Sequence, residues 1–316
     1  MSAAVHAVSA ELIAVLVAVT AGQPRVLTIQ DGDALPSGPF ELGHRSLQSG
    51  LRAWVEEQTH HPPGYVEQLY TFADRDRARD DGAQRAISIS YLGLTREMEA
   101  SGAYEARWRD WYGYFPWEDH RSGLPDAIAE IIEPQLRDWV GSAPNPASRS
   151  ERRQRVAITF GLDRHAWNEE LILQRYELLY EAVLVPEALR DRPAATPERS
   201  LGQAAPGGWP MVLDHRRILA TGIARLRAKI KYRPVVFELM PAAFTLLQLQ
   251  RSVEGIAGRP VHKQNFRRLI EQQELVEETG EMTADTGGRP AKLFRFRREV
   301  LAERAVRGTK LPLIRA

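Results

Sequence analysis

Residues 12–19 read Leu-Ile-Ala-Val-Leu-Val-Ala-Val, eight apolar residues without interruption, and this run constrains the fold more than any other stretch. A bilayer span needs about 20 residues, so the run is too short to cross one. Glu11 precedes it and no basic segment leads into it, which is not the pattern of a secretory signal. It reads as a buried strand. Further strand-like runs at residues 26–29, 66–72 and 86–94 alternate with one strong helix at 46–58, and that order predicts a mixed α/β (α+β) domain. Nothing else resembles a targeting or membrane segment, so a cytoplasmic protein without a membrane partner is expected.

With 316 residues the chain is long enough for two cores. Its 43% hydrophobic and 26% charged residues place it among ordinary globular proteins and not among disordered ones. The absence of cysteine excludes disulfides, thiolate metal sites and cysteine nucleophiles. After the first strands come an aromatic-rich stretch at 108–117, a helical pattern at 126–140, a strand-like run at 156–160 and a helix at 168–183. Residues 186–210, rich in Pro, Ala, Arg and Gly, have no apolar period and read as a linker. The expected domains are therefore 1–185 and 211–316.

Charge divides at the same place. Residues 211–316 carry 21 Lys and Arg against 11 Asp and Glu, whereas the first 210 carry 21 against 30. Such asymmetry points to a polyanion partner for the C-terminal part. There, Ile218, Ile223, Leu226 and Ile230 space as one helix face, and a short strand-like run follows at 235–239. Thr245 can cap a helix reaching Ile256, and Gly258-Arg259-Pro260 separates it from a second helix at about 261–273. Strand-like runs at 275–279 and 293–296 flank a turn at 287–290. Two helices followed by a glycine-tipped hairpin is the order of a winged helix-turn-helix.

In the first domain, Gly38, His44 and Arg52-Ala53-Trp54-Val55-Glu56-Glu57-Gln58-Thr59-His60 match, without a gap, the spacing of the Nudix signature, whose helix stacks carboxylates on one face. Gly38, Arg52, Glu56 and Glu57 agree with it. His44 and Ala53 stand where glutamates belong, and Thr59 replaces the closing glycine. Ala53 has no ionisable group, so the carboxylate that would complete a metal cluster or act as base is missing. His44 is a poor ligand for Mg²⁺, which prefers oxygen. We expect no catalytic residues, a weak cation site at most at Glu56 and Glu57, and nucleotide recognition without hydrolysis.

The C-terminal residues Phe237-Glu238-Leu239-Met240-Pro241, Phe244-Thr245-Leu246, Leu249-Gln250, Gly258-Arg259-Pro260, Asn265-Phe266-Arg267-Arg268 and Gly288-Arg289-Pro290-Ala291-Lys292-Leu293-Phe294-Arg295-Phe296 resemble the winged helix of Nudix-related regulators of the NrtR type. One departure is His262, where an Asp or similar cap is expected. With Trp108 to Trp117, Glu118-Asp119-His120-Arg121 and Lys229-Ile230-Lys231-Tyr232-Arg233-Pro234, the chain resembles the NadQ family over nearly its whole length. That resemblance implies a Nudix-like α/β/α sandwich followed by a winged helix, in a homodimeric repressor of de novo NAD synthesis genes that responds to NAD, ATP or both.

On double-stranded operator DNA, the second helix would present His262, Lys263, Gln264, Arg267 and Arg268. Gln and Arg can reach base edges, whereas Lys and the remaining Arg suit phosphates. Arg289 and Lys292 would serve from the wing. For the nucleotide, Trp108, Trp111, Tyr112 and Trp117 are candidate adenine platforms. Arg52, Glu56, Arg75 and Arg77 are candidates for its polar end. Two other readings remain open at this stage: a Nudix pyrophosphohydrolase acting on ADP-ribose or a dinucleotide, which Ala53 opposes, and a protein-interaction module, which the basic helix and wing oppose.

Overall fold

The uninterrupted apolar run is a strand covered on both faces. The computed structural model describes residues 8–73, 85–98, 104–191, 207–284 and 290–297, together with Glu299. Strands β1 (Val8–Thr20), β2 (Gln23–Thr28), β3 (Ser37–Pro39), β4 (Tyr65–Phe72), β5 (Arg85–Leu94) and β6 (Arg107–Asp110) form one sheet. Its order is β4-β5-β1-β2-β6, with β3 pairing with β1; β1 and β5 run parallel and the other pairs antiparallel. Side chains alternate across a strand. Leu12, Ala14 and Leu16 accordingly meet Leu51 and Val55 of helix α1 (Leu47–Thr59), while Ile13, Val15 and Val17 join the main core on the opposite face.

Ser46 caps α1 through a reciprocal capping box with Ser49, so the helix starts where the sequence predicts. A helical annex follows, built from α2 (Trp111–Tyr114), a wide π turn (Ala127–Ile132), α3 (Glu133–Gly141), α4 (Pro146–Phe160), α5 (Ile172–Glu181) and α6 (Pro186–Arg190). The strand expected at 156–160 is instead the end of α4. Asn145 caps that helix ahead of Pro146, and Val156, Ala157 and Phe160 form its buried face before Gly161 closes it in a left-handed cap.

Helix α7 (His215–Lys229) corrects the expected domain boundary. It lies on β1, β4 and β5 and against α5, supplying Ile218, Ile223 and Leu226 to the core beneath the sheet. A Cβ at Gly222 would stand 2.8 Å from Val15, so glycine lets helix and strand approach closely. The chain thus closes an α/β/α sandwich with α7 before the winged helix begins. The expected linker is corrected as well in its described parts. Glu187 of α6 is buried and accepts from Arg216, and Trp209 packs edge-on against Tyr114 at 5.3 Å. Residues 192–206 lie outside the described residues.

Beyond α7, residues 235–239 form a 3-10 turn (Val235–Leu239) and not the expected strand. Then come α8 (Leu246–Ala257), α9 (Lys263–Gln272) and a hairpin of β7 (Val276–Thr283) with β8 (Ala291–Phe296). Phe244 exchanges backbone hydrogen bonds with Phe294, tying the segment before α8 to the wing. No helix among the described residues is long and apolar enough to cross a membrane.

Candidate functional site

Helix α9 is seated by Phe266 and Ile270, one turn apart and both 7% exposed. Burying each stabilises the domain by about 2 kcal/mol. Lys263, Gln264, Arg267 and Arg268 stand on the exposed side, and the three cations make no ion pair among the described residues. The turn before α9 is clamped from α8: Gln250 Nε2 donates to Val261 O at 3.1 Å, and Val261 N donates to Glu254 Oε1 at 2.9 Å. An amphipathic helix held at a defined angle, with unpaired cations facing out, suits the major groove.

His262 is the N-cap of α9 but makes no side-chain capping bond, so the first-turn N–H groups lack that acceptor. Replacing it with Ser is expected to stabilise the domain by about 1 kcal/mol, read as a raised thermal midpoint. Lys292 is engaged with Glu278 across the hairpin at 2.8 Å, and Arg295 with Glu277 at 2.6 Å. Lys292 therefore reaches DNA only by exchanging that exposed partner, a small cost. Arg289 and the wing tip lie outside the described residues, as do Arg75 and Arg77.

In the first domain, Gly38 lies in β3, where a Cβ would stand 2.4 Å from the Trp54 ring. Gln58 exchanges two hydrogen bonds with the Ser37 backbone, so α1 is locked onto β3 through one side chain from each of two successive turns. Ala53, Glu56 and Glu57 share the outer face of α1 and all three are exposed. Arg52 donates to Pro63 O at 2.6 Å and Gly64 O at 3.1 Å, and so fixes the following loop. His44 packs against Trp54 and Phe40 and fills the space over Gly50. Two neighbouring carboxylates do not make a complete Mg²⁺ site, and among the described residues no group of three or more metal-binding side chains occurs.

The four aromatic candidates separate by burial. Trp108 is partly exposed; it meets His61 edge-on at 5.5 Å and donates to Met98 O at 2.9 Å. Trp111, Tyr112 and Trp117 are 1%, 6% and 0% exposed, which corrects their expected role. Trp111 and Trp117 are walls of the core, and Tyr112 is a wall of the junction with the winged helix. Tyr112 Oη donates to Gly255 O at 2.7 Å.

Sequence reasoning missed that junction. Glu118 is buried and accepts from both Arg175 and Arg227, themselves 0% and 1% exposed. Arg227 also donates to Ile256 O at the end of α8, and His120 N donates to Gly258 O, at 2.9 and 2.7 Å. Burial opposes the charge on Glu118, but the two guanidinium groups outweigh it and hold the carboxyl below its ordinary range. The clasp therefore joins annex, sandwich and winged helix. Gly258 adopts φ +71°, and a Cβ there would stand 2.4 Å from Glu118 O. Gly258→Ala is expected to cost about 2 kcal/mol or more, read from the urea unfolding midpoint. The available signal was an arginine beside the apolar face of a helix, Arg227 next to Leu226; nothing marked Arg175.

An α/β sandwich continued into a winged helix-turn-helix defines a two-part class of protein by its fold. Residues 236–296 match the NrtR DNA-binding winged helix domain. The ADPR responsive transcriptional repressor NtrR of Acinetobacter baylyi is 40% identical over 86 residues, which is 27% of this chain and 34% of that protein. The match thus spans about a third of that relative's length. The structure of Shewanella oneidensis NrtR complexed with a 27mer DNA is similar at 19% identity and a TM-score of 0.53, covering 92% of this chain and 95% of that one. A MutT/nudix family protein from Enterococcus faecalis is similar at 16% identity and a TM-score of 0.52, covering 94% and 89%. These likenesses establish the fold of both parts, a Nudix-like domain followed by the winged helix.

Proposed function

We propose that this chain is a transcriptional repressor that binds operator DNA as a homodimer through α9 and the wing, and whose Nudix-like domain reads a nucleotide without cutting it. The observation that carries the reading is the exposed face of α9, with three cations free of ion pairs among the described residues, inside a domain that matches an NrtR DNA-binding module. The A. baylyi relative is named for its response to ADPR, which supports ADP-ribose, or a nucleotide containing it such as NAD, as the effector class. ATP shares the adenylate part and is the second candidate. The regulated genes are those of de novo NAD synthesis, and the protein acts in the cytoplasm.

Trp108 is the aromatic best placed to meet a base, since its ring is partly exposed next to His61 at the end of α1. Any Mg²⁺ is held at Glu56 and Glu57 chiefly through water and the nucleotide's own phosphates. With Ala53 where the signature has a glutamate, that position has no group to activate water, which favours sensing over hydrolysis.

The test is a titration of the promoter fragment with protein, alone and with ADP-ribose, NAD or ATP. At least one nucleotide should change operator affinity about 5-fold or more, the lower end of an ordinary coupling free energy. Operator binding indifferent to all three would remove the sensing half, and no specific binding would remove the whole reading. Release of mononucleotide from ADP-ribose or NAD at an ordinary enzymatic rate would favour the hydrolase instead.

A further inference from the structure

A cavity opens behind α9. It measures about 450 Å³ and is walled by both parts of the chain: Ile230 and Phe237 on one side, Leu249 and Val253 of α8 at the back, Phe266 and Ile270 of α9 in front. That size is within the range of small-molecule sites, and the wall is apolar as such sites usually are. Its rim is cationic. Lys231, Arg233 and Arg259 line it, and Glu169 is the carboxylate among its lining residues. Glu169 accepts from Lys231 at 2.8 Å and from Arg259 at 3.3 Å, while Arg233 is exposed and makes no ion pair among the described residues. Tyr232 and Leu269, also lining the cavity, are 69% and 51% exposed. Large apolar groups left in water around an apolar hole, beside a surplus cation, call for a ligand with an apolar body and an anionic end.

We infer that this cavity binds an organic monocarboxylate, its ring or hydrocarbon body among Phe237, Val253 and Phe266 and its carboxylate at Arg233. The site is separate from the nucleotide reading and stands or falls without it. An occupant touches Phe266 and Ile270, the two anchors of α9, so it would bear directly on the seating of that helix.

The probes are 2-naphthoate and its uncharged counterpart naphthalene-2-carboxamide, titrated into the full chain by calorimetry and by saturation-transfer NMR. Naphthoate is expected to bind at least about 10-fold more tightly than the carboxamide, and more weakly as salt is raised. Val253→Trp, which fills the cavity, should abolish binding of both probes. Arg233→Glu, an exposed change that leaves the fold intact, should weaken naphthoate about 10-fold and leave the carboxamide unchanged. Circular dichroism melts confirm that each variant is folded; should Val253→Trp fail to fold, the Arg233→Glu result alone decides. No naphthoate binding, equal affinity for the two probes, or undiminished binding to the Arg233→Glu chain would each overturn the site.

Discussion

Glu118→Gln is expected to lower the stability of the chain by about 3–5 kcal/mol, because it leaves two buried guanidinium groups without their counter-ion. The side chain keeps its size, so the loss is electrostatic and not a packing effect. Urea unfolding followed by tryptophan fluorescence reads it, and a loss under about 1 kcal/mol would show that the cluster is not holding the junction. The pH dependence has a definite sign. The folded carboxyl titrates below its ordinary value of 4.5, so its contribution is complete above that pH and is lost as pH falls through the lower folded value. Wild type should therefore lose stability below about pH 4.5 more steeply than Glu118→Gln does. The same substitution frees Arg227, which holds the end of α8 through Ile256 O, so operator affinity should fall as well.

The second large effect lies on α9. Arg267→Ala and Arg268→Ala should each weaken operator binding by about 1–3 kcal/mol if the arginine reads a base, and relax specificity at one position. If it contacts phosphate, binding should weaken across all sequences and the slope of log affinity against log salt should shrink by about 1. Both side chains are exposed and unpaired among the described residues, so the thermal midpoint should hardly move. Full operator affinity and an unaltered salt slope in the double variant would rule out α9 as the DNA-reading element.

Local signals carried a large part of the architecture. Thr245 with Gln248 forms a reciprocal capping box, and Gly258 ends the same helix with positive φ, so α8 was legible to within a residue or two. Helix α1 was legible as a helix, and Trp54 and Gln58, one turn apart, both meet β3. His60 closes α1 in the left-handed position at φ 50°, a conformation that no residue type in the preceding sequence announced. In contrast, residues 156–160 and 235–239 are short apolar runs, which periodicity alone cannot assign to strand or helix.

The charge asymmetry shows where composition misleads. It points to a polyanion partner, yet part of it is an internal exchange. Arg216, Arg217, Arg227 and Lys229 of α7 pair with Glu187, Glu177, Glu118 and Glu67 of the preceding sequence. Those cations sit in the basic third of the chain and neutralise acidic residues of the other two thirds. The exposed and unpaired surplus on α9 is narrower, Lys263, Arg267 and Arg268, with the wing tip outside the described residues.

By itself the sequence determined the long or capped elements, β1, α1, α8 and α9, and which of their faces turn inward, because periodicity, caps and turn residues act over a few positions. Tertiary structure alone decided that α7 belongs to the sandwich, that Trp111 and Trp117 are walls and not platforms, and that Glu118 meets Arg175 and Arg227, 57 and 109 residues away. A buried charge is tolerable only beside its counter-ion, and which counter-ion lies beside it depends on how elements distant in the chain pack together.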